Sequence, residues 1–199
     1  MPEKEQPRSL VTEAKDQVVG AVQGAGDIAA ATVDAVSHTI VHAVKGTRAA
    51  GTEVIGLAVD TVTGAVRGAA EVGMHAGDAA KSIMMGTLNG TKQVGVTTVE
   101  TVSASAAALV KGTSEVGGDV GKAAKGAVEG AIHAARDIGV TAEQAASAAG
   151  SGALRAAGEV GSAAAEQVQK VLTKTISGVK VVIREPFQTR KEIRDVPPY

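Results

Sequence analysis

GAVRGAAEVGM (64–74) is one of seven aligned segments that recur every 22 residues with no insertion or deletion. Its counterparts are GAVQGAGDIAA (20–30), HAVKGTRAAGT (42–52), GTLNGTKQVGV (86–96), ALVKGTSEVGG (108–118), GAIHAARDIGV (130–140) and GALRAAGEVGS (152–162). The 11-residue segments between them, such as ATVDAVSHTIV (31–41) and AAAEQVQKVLT (163–173), keep the same apolar and polar rhythm. The period is therefore 11, with a superperiod of 22. Eleven residues make three helical turns at about 3.67 residues per turn, so one helix face keeps pointing one way. Such a repeat decides architecture ahead of any motif.

Counting Gly20, Gly64 or Gly86 as position 1, positions 2, 3, 6, 9 and 10 cluster on one side of a helical wheel. Position 3 holds Val22, Val44, Val66, Leu88, Val110, Ile132 and Leu154. Position 9 holds Ile28, Val72, Val94, Val116, Ile138 and Val160, with Ala50 as the exception. Positions 4, 7 and 8 lie opposite and carry most of the charge. The fold class predicted is all-α: one long amphipathic helix, or several, read at period 11. These position 3 and position 9 side chains are the candidate lipid-facing or core-facing residues. A β-solenoid with 11-residue rungs is the rival geometry, but strict two-residue alternation is missing, and Ala and charged residues suit a helix better.

Three zones are readable: a polar tail (1–8), the proline-free repeat (9–173) and a basic, proline-containing C-terminal tail (174–199). Both tails are expected to be disordered. In the last zone Val179, Val181 and Ile183 alternate as an extended segment would, and Pro186, Pro197 and Pro198 forbid a regular helix to the end. A continuous helix over 9–173 would be about 250 Å long. Soft points for folding back are Gly86–Gly90, Gly117–Gly121 and Gly150–Gly152.

Twenty-four of the 25 glycines fall in the repeat zone. Each costs roughly 0.8–1 kcal/mol relative to Ala in a helix, so an isolated helix of this sequence should be poorly populated in water. Ion pairs help little, because Arg67 and Glu71, Lys111 and Glu115, and Arg155 and Glu159 stand in the weaker basic-to-acidic order. The helix needs a surface or a partner, which makes its folding conditional. Glycine then has two roles: close helix–helix approach, and restraint that keeps burial reversible.

Composition bounds the chemistry. Phe187 and Tyr199 are the only aromatic residues, and the 44% hydrophobic fraction is mostly Ala and Val, so any core is shallow. Cysteine is absent, which removes disulfides and thiolate chemistry. A net charge of −1 with interspersed signs gives no basic face for nucleic acid. The N-terminus has no signal-peptide pattern, and no uncharged stretch reaches the ~18 residues of a membrane span. His38 and His42 stand four apart, but they lack a third ligand at a useful spacing and read as solvent-facing. GAVQGAGD (20–27) and GGDVGKAAKG (117–126) lack the strand and the lysine-serine/threonine ending of a phosphate loop. No nucleophile–base pair can be singled out. The sequence predicts no enzyme, no cofactor, no metal and no small-molecule substrate.

Position 4 tends to alternate in charge every 11 residues, with Lys45, Arg67, Lys111 and Arg155 against Asp34, Asp78, Glu100 and Glu166. Two helices offset by 11 residues would face opposite charges, so staggered self-association into a homo-oligomer is an expectation.

The period and the Val/Ala/Thr/Gly face resemble the synucleins, most closely in GAGDIAAAT (24–32) and VKGTSEVGG (110–118), although the KTKEGV core motif does not occur. The period also resembles that of perilipin-type lipid-droplet coats, exchangeable apolipoproteins and late-embryogenesis-abundant proteins. The resemblance implies a chain loosely ordered when free that lies on a lipid surface as a helix. It also implies a cytoplasmic protein peripherally associated with a membrane, vesicle or storage granule. Lys174, Lys180, Arg184, Arg190, Lys191 and Arg194 would add attraction to anionic lipid. The alternatives are a self-assembling helical bundle or filament, and a stress protectant of the late-embryogenesis-abundant type.

Overall fold

The computed structural model describes residues 9–24, 27–47, 49–174 and 176–182, with residues 22–24 described in backbone only. These residues form eight helices: α1 (Leu10–Gly24), α2 (Ile28–Thr47), α3 (Thr52–Glu71), α4 (Ala76–Gln93), α5 (Val99–Glu115), α6 (Val120–Ala135), α7 (Ala142–Val160) and α8 (Ser162–Leu172). The protein is all-α. The rest is turn, apart from a single bridge between Ile176 and Val179. No continuous rod forms, because the chain reverses between helices.

From α2 onward each reversal has a glycine with positive φ at or beside it. Gly51, Gly73, Gly95, Gly117, Gly139 and Gly161 recur every 22 residues, and all have positive φ. At Gly73, with φ of 75°, its N–H donates to Ala70 O and the Met74 N–H donates to Ala69 O. The same pair of bonds recurs at Gly95, Gly117 and Gly139. This is the Schellman closure, in which a left-handed residue satisfies the last carbonyls of a helix. After Gly95, Gly117 and Gly139 the next helix is then capped by side chains. Thr98 and Thr101 form a capping box on α5, Asp119 accepts from the Lys122 N–H on α6, and Thr141 with Gln144 caps α7. Stop and start signals therefore sit only a few residues apart. The sequence reading placed positions 9 and 10 on the buried face; position 10 is instead the turn glycine. Of the three soft points, only Gly117 falls at a turn, while Gly86–Gly90 and Gly150–Gly152 lie inside α4 and α7.

The helices stack in two rows. α1, α3, α5 and α7 follow one another in one row, α2, α4, α6 and α8 in the other, and consecutive helices touch across the rows. Glycine sets the spacing within each row. A Cβ on Gly64 would overlap the Val11 carbonyl oxygen, and one on Gly68 would stand 2.8 Å from that of Lys15. Gly86 and Gly90 meet Val33 and Ser37 in the same way, Gly126 and Gly130 meet Gly77 and Lys81, and Gly152 meets Ser103. Backbone thus packs on backbone, where Cα–H groups approach carbonyls. Both neighbours rise together along the chain, so helices within a row run parallel.

The core is shallow. Of the 42 buried apolar residues among those described 23 are Ala, and the largest fully buried side chains are Ile40, Ile83, Met84, Leu88, Leu109 and Leu172. Buried threonines satisfy their hydroxyls locally: Thr39, Thr61, Thr87 and Thr91 each donate to the carbonyl one turn back.

Candidate functional site

The candidate functional feature is a face repeated along the stack rather than a single pocket. At position 3, Val66, Leu88 and Val110 are buried, and Val44, Ile132 and Leu154 are half-buried. Val22 lies in α1, and its side chain is outside the description. At position 9, Val72, Val94 and Ile138 are half-buried, while Ile28, Val116 and Val160 are exposed. The reason is local. Val72, Val94 and Val116 are the C-cap residues of α3, α4 and α5, and Ile28 opens α2. A residue beside a turn glycine rides at the edge of the stack rather than at its centre. The periodic pattern therefore contains two different environments: position 3 lies against or within the core, and position 9 lies along the rim.

Charges also pair differently from the expected spacing. Arg67 bonds Glu115 across α3 and α5 at 3.3 Å, and Lys15 bonds Glu71 across α1 and α3 at 2.9 Å. The hydrogen bond to Glu71, then that carboxylate's charge, raises the Lys15 pKa above its ordinary value. Glu71 and Glu115, both at position 8, thus pair with a neighbouring helix of the row, at position 7 (Lys15) and position 4 (Arg67), rather than within their own helix. Lys125–Glu129 (3.4 Å) and Lys122–Asp119 (3.5 Å) are local pairs on α6. They line a cleft of about 760 Å³ between the α3–α4 and α5–α6 turns, together with His75 and Asp78. Opposite charges alternate there and do not converge on one point.

The two ends of the stack differ from its middle. His42 occupies in α2 the repeat position that Gly86 occupies in α4. Gly86 needs to be small because Val33 O would lie 2.6 Å from its Cβ; His42 is exposed, with His38 one turn before it. No third His, Cys, Asp or Glu joins them as a metal site among the described residues. Gly20 and Gly46, whose counterparts pack against a preceding helix, meet nothing within 4 Å. At the other end, residues 181 and 182 lie against α7. Val181 and Leu172 both pack on Gly150, and the Ser147 hydroxyl donates to the Val182 carbonyl.

Of the basic tail, Lys174 and Lys180 are exposed, and Arg184, Arg190, Lys191 and Arg194 lie outside the described residues. No described helix is long and apolar enough to cross a membrane. Sequence reasoning missed the groove between α5 and α7, lined by Val99, Glu100, Glu143, Ser147 and Val182 among others. Val99 stands at position 3 of an intervening 11-residue segment, which the 22-residue series left out, and Val182 lies beyond the repeat. Comparison with known proteins finds no matching family model, curated protein or solved structure.

Proposed function

We propose that this chain is a non-enzymatic amphipathic repeat protein that coats a lipid surface, and that its two-row stack is the closed form from which the helices are released. One observation carries the reading. Val66, Leu88 and Val110, the residues expected to insert into lipid, are the same residues buried in the stack, and more than half of the buried apolar residues described are Ala. A face buried against small side chains gives up little when it exchanges one apolar surface for another. Each Val-sized anchor contributes ~1–2 kcal/mol before ordering costs, so the closed and lipid-bound forms lie close in free energy. Many linked weak anchors still bind firmly through effective concentration. Opening also frees the glycine-rich helices from the contacts that offset their poor propensity, so order in the bound form depends on the lipid.

A second reading, self-assembly through the α1–α2 end, is favoured by Gly20 and Gly46, which lack the neighbours their counterparts have. The test is flotation of the purified chain with neutral and anionic vesicles of small and large diameter, beside far-UV circular dichroism. Co-flotation, strongest with anionic lipid, supports the coat. A helical chain that never floats, and instead grows in size with concentration, sinks the coat and favours assembly.

A further inference from the structure

The groove between the N-terminal halves of α5 and α7 has a volume of about 760 Å³. Val99, Ala148 and Val182 give it an apolar lining, and two of them are unusually open: Val99 is 46% and Val182 60% exposed. Among the described residues five large apolar side chains are exposed, and the two most exposed of them face this one groove. Glu100 and Glu143 stand beside them, both exposed, and neither pairs with a basic group among the described residues. An open apolar trough with two carboxylates fits an apolar segment that carries a cation.

The chain itself supplies one. Val182 lines the groove, and Ile183, Arg184, Glu185, Pro186 and Phe187 follow it directly in sequence. Five residues reach up to ~17 Å when extended. The α7 wall from Glu143 to Ser151 is about 12 Å long at ~1.5 Å per residue, so the segment is long enough to line it. A segment tethered at the groove edge has an effective concentration in the millimolar range, which a free peptide of the same chemistry would not match.

We propose that the groove seats the chain's own Ile183–Phe187 segment, with Ile183 and Phe187 covering Val99 and Val182 and with Arg184 between Glu100 and Glu143. This contact is independent of lipid binding. It extends the contact that Val181 and Val182 make with α7 and holds the basic tail against the protein.

The chain has no tryptophan, so Phe187→Trp introduces a single reporter into the full-length protein. Tyr199→Trp, at the far end of the same tail, is the solvent reference. The proposal expects Phe187→Trp emission to be shifted to the blue of the reference, with acrylamide quenching at least threefold weaker and independent of protein concentration. Adding E100K/E143K should return both signals toward the reference, and adding R184E to that background should restore them. Circular dichroism checks that the exposed glutamates can be replaced without loss of helix. Quenching equal to the reference overturns the proposal. Protection that fades on dilution also overturns it, because it would place a second copy's tail in the groove. Protection unchanged by E100K/E143K overturns the assignment of Arg184.

Discussion

Helix α3 contains an internal control for the way this protein uses glycine. Gly56 and Gly64 both lie within Thr52–Glu71, yet a Cβ on Gly56 would meet nothing within 4 Å. A Cβ on Gly64 would overlap the Val11 carbonyl oxygen and stand 2.9 Å from Ala14 Cβ. Gly56→Ala should gain the helix propensity alone, about 0.8–1 kcal/mol. Gly64→Ala gains the same propensity, but it forces α1 away from α3 by roughly 1 Å to restore ordinary carbon contacts of ~3.5–4.0 Å. Overpacking of this kind costs ~1–3 kcal/mol, and the upper half applies because the obstacle is backbone rather than a side-chain tip. The net is a loss of ~1–2 kcal/mol. For a chain of this size, 1 kcal/mol moves the melting temperature by roughly 2–4 °C. One substitution should therefore raise the Tm by about 2–4 °C and the other lower it by about 2–8 °C, measured by thermal and urea unfolding followed by circular dichroism. Equal stabilisation by both alanines would refute the reasoning, since it would mean that α3 does not rest on α1.

The turn glycines give a prediction of different origin. Gly117 has φ of 72° and open space around its Cα, so Gly117→Ala meets no neighbour and should still cost about 1–2 kcal/mol from the left-handed backbone alone. Gly117→Asn should cost less, and comparable stability of all three proteins in urea would count against the turn. Lys15 predicts a pH dependence. Its folded pKa is raised by Glu71, so its contribution is complete below the ordinary lysine value and disappears as pH climbs through the higher folded value. Lys15→Met should flatten the alkaline limb of a stability-against-pH curve. The effect should be small and reduced by salt, because both side chains are partly exposed; a limb as steep as the parent's would remove Lys15 from the account.

The helical class was readable from period alone; of the face it grouped together, position 3 is buried at Val66, Leu88 and Val110, whereas positions 9 and 10 went to the rim and the turns. Close approach through glycine was also readable, and it occurs at Gly64, Gly86, Gly126 and Gly152. The turns were not. A glycine at position 1 or 5 packs inside a helix, and a glycine at position 10 ends one, yet composition treats the two alike. The discriminating signal lay in the neighbours. Thr98, Asp119 and Thr141 follow Gly95, Gly117 and Gly139 within three residues and begin the next helix with side-chain caps. Phase is preserved over seven copies because the turn belongs to the repeat. An inserted residue would displace Gly64 or Gly86 from the carbonyls they rest on, and with them the whole row.

The most direct measurement of the central claim is lipid binding by a chain that cannot open. Gly112 in α5 faces Val66 in α3, with 3.5 Å between a Cβ built on Gly112 and Val66 Cβ. That separation lies within the ~3.5–4.5 Å span of a disulfide, and no native cysteine competes. Aspartate at Val66 or Val110 would disrupt the core, whereas V66C/G112C holds it shut reversibly. The account predicts that the reduced variant floats with anionic vesicles as the parent does, and that the oxidised variant stays behind until reductant is added. Equal flotation of oxidised and reduced protein would contradict it, because the face buried between α3 and α5 would then have no part in holding the lipid.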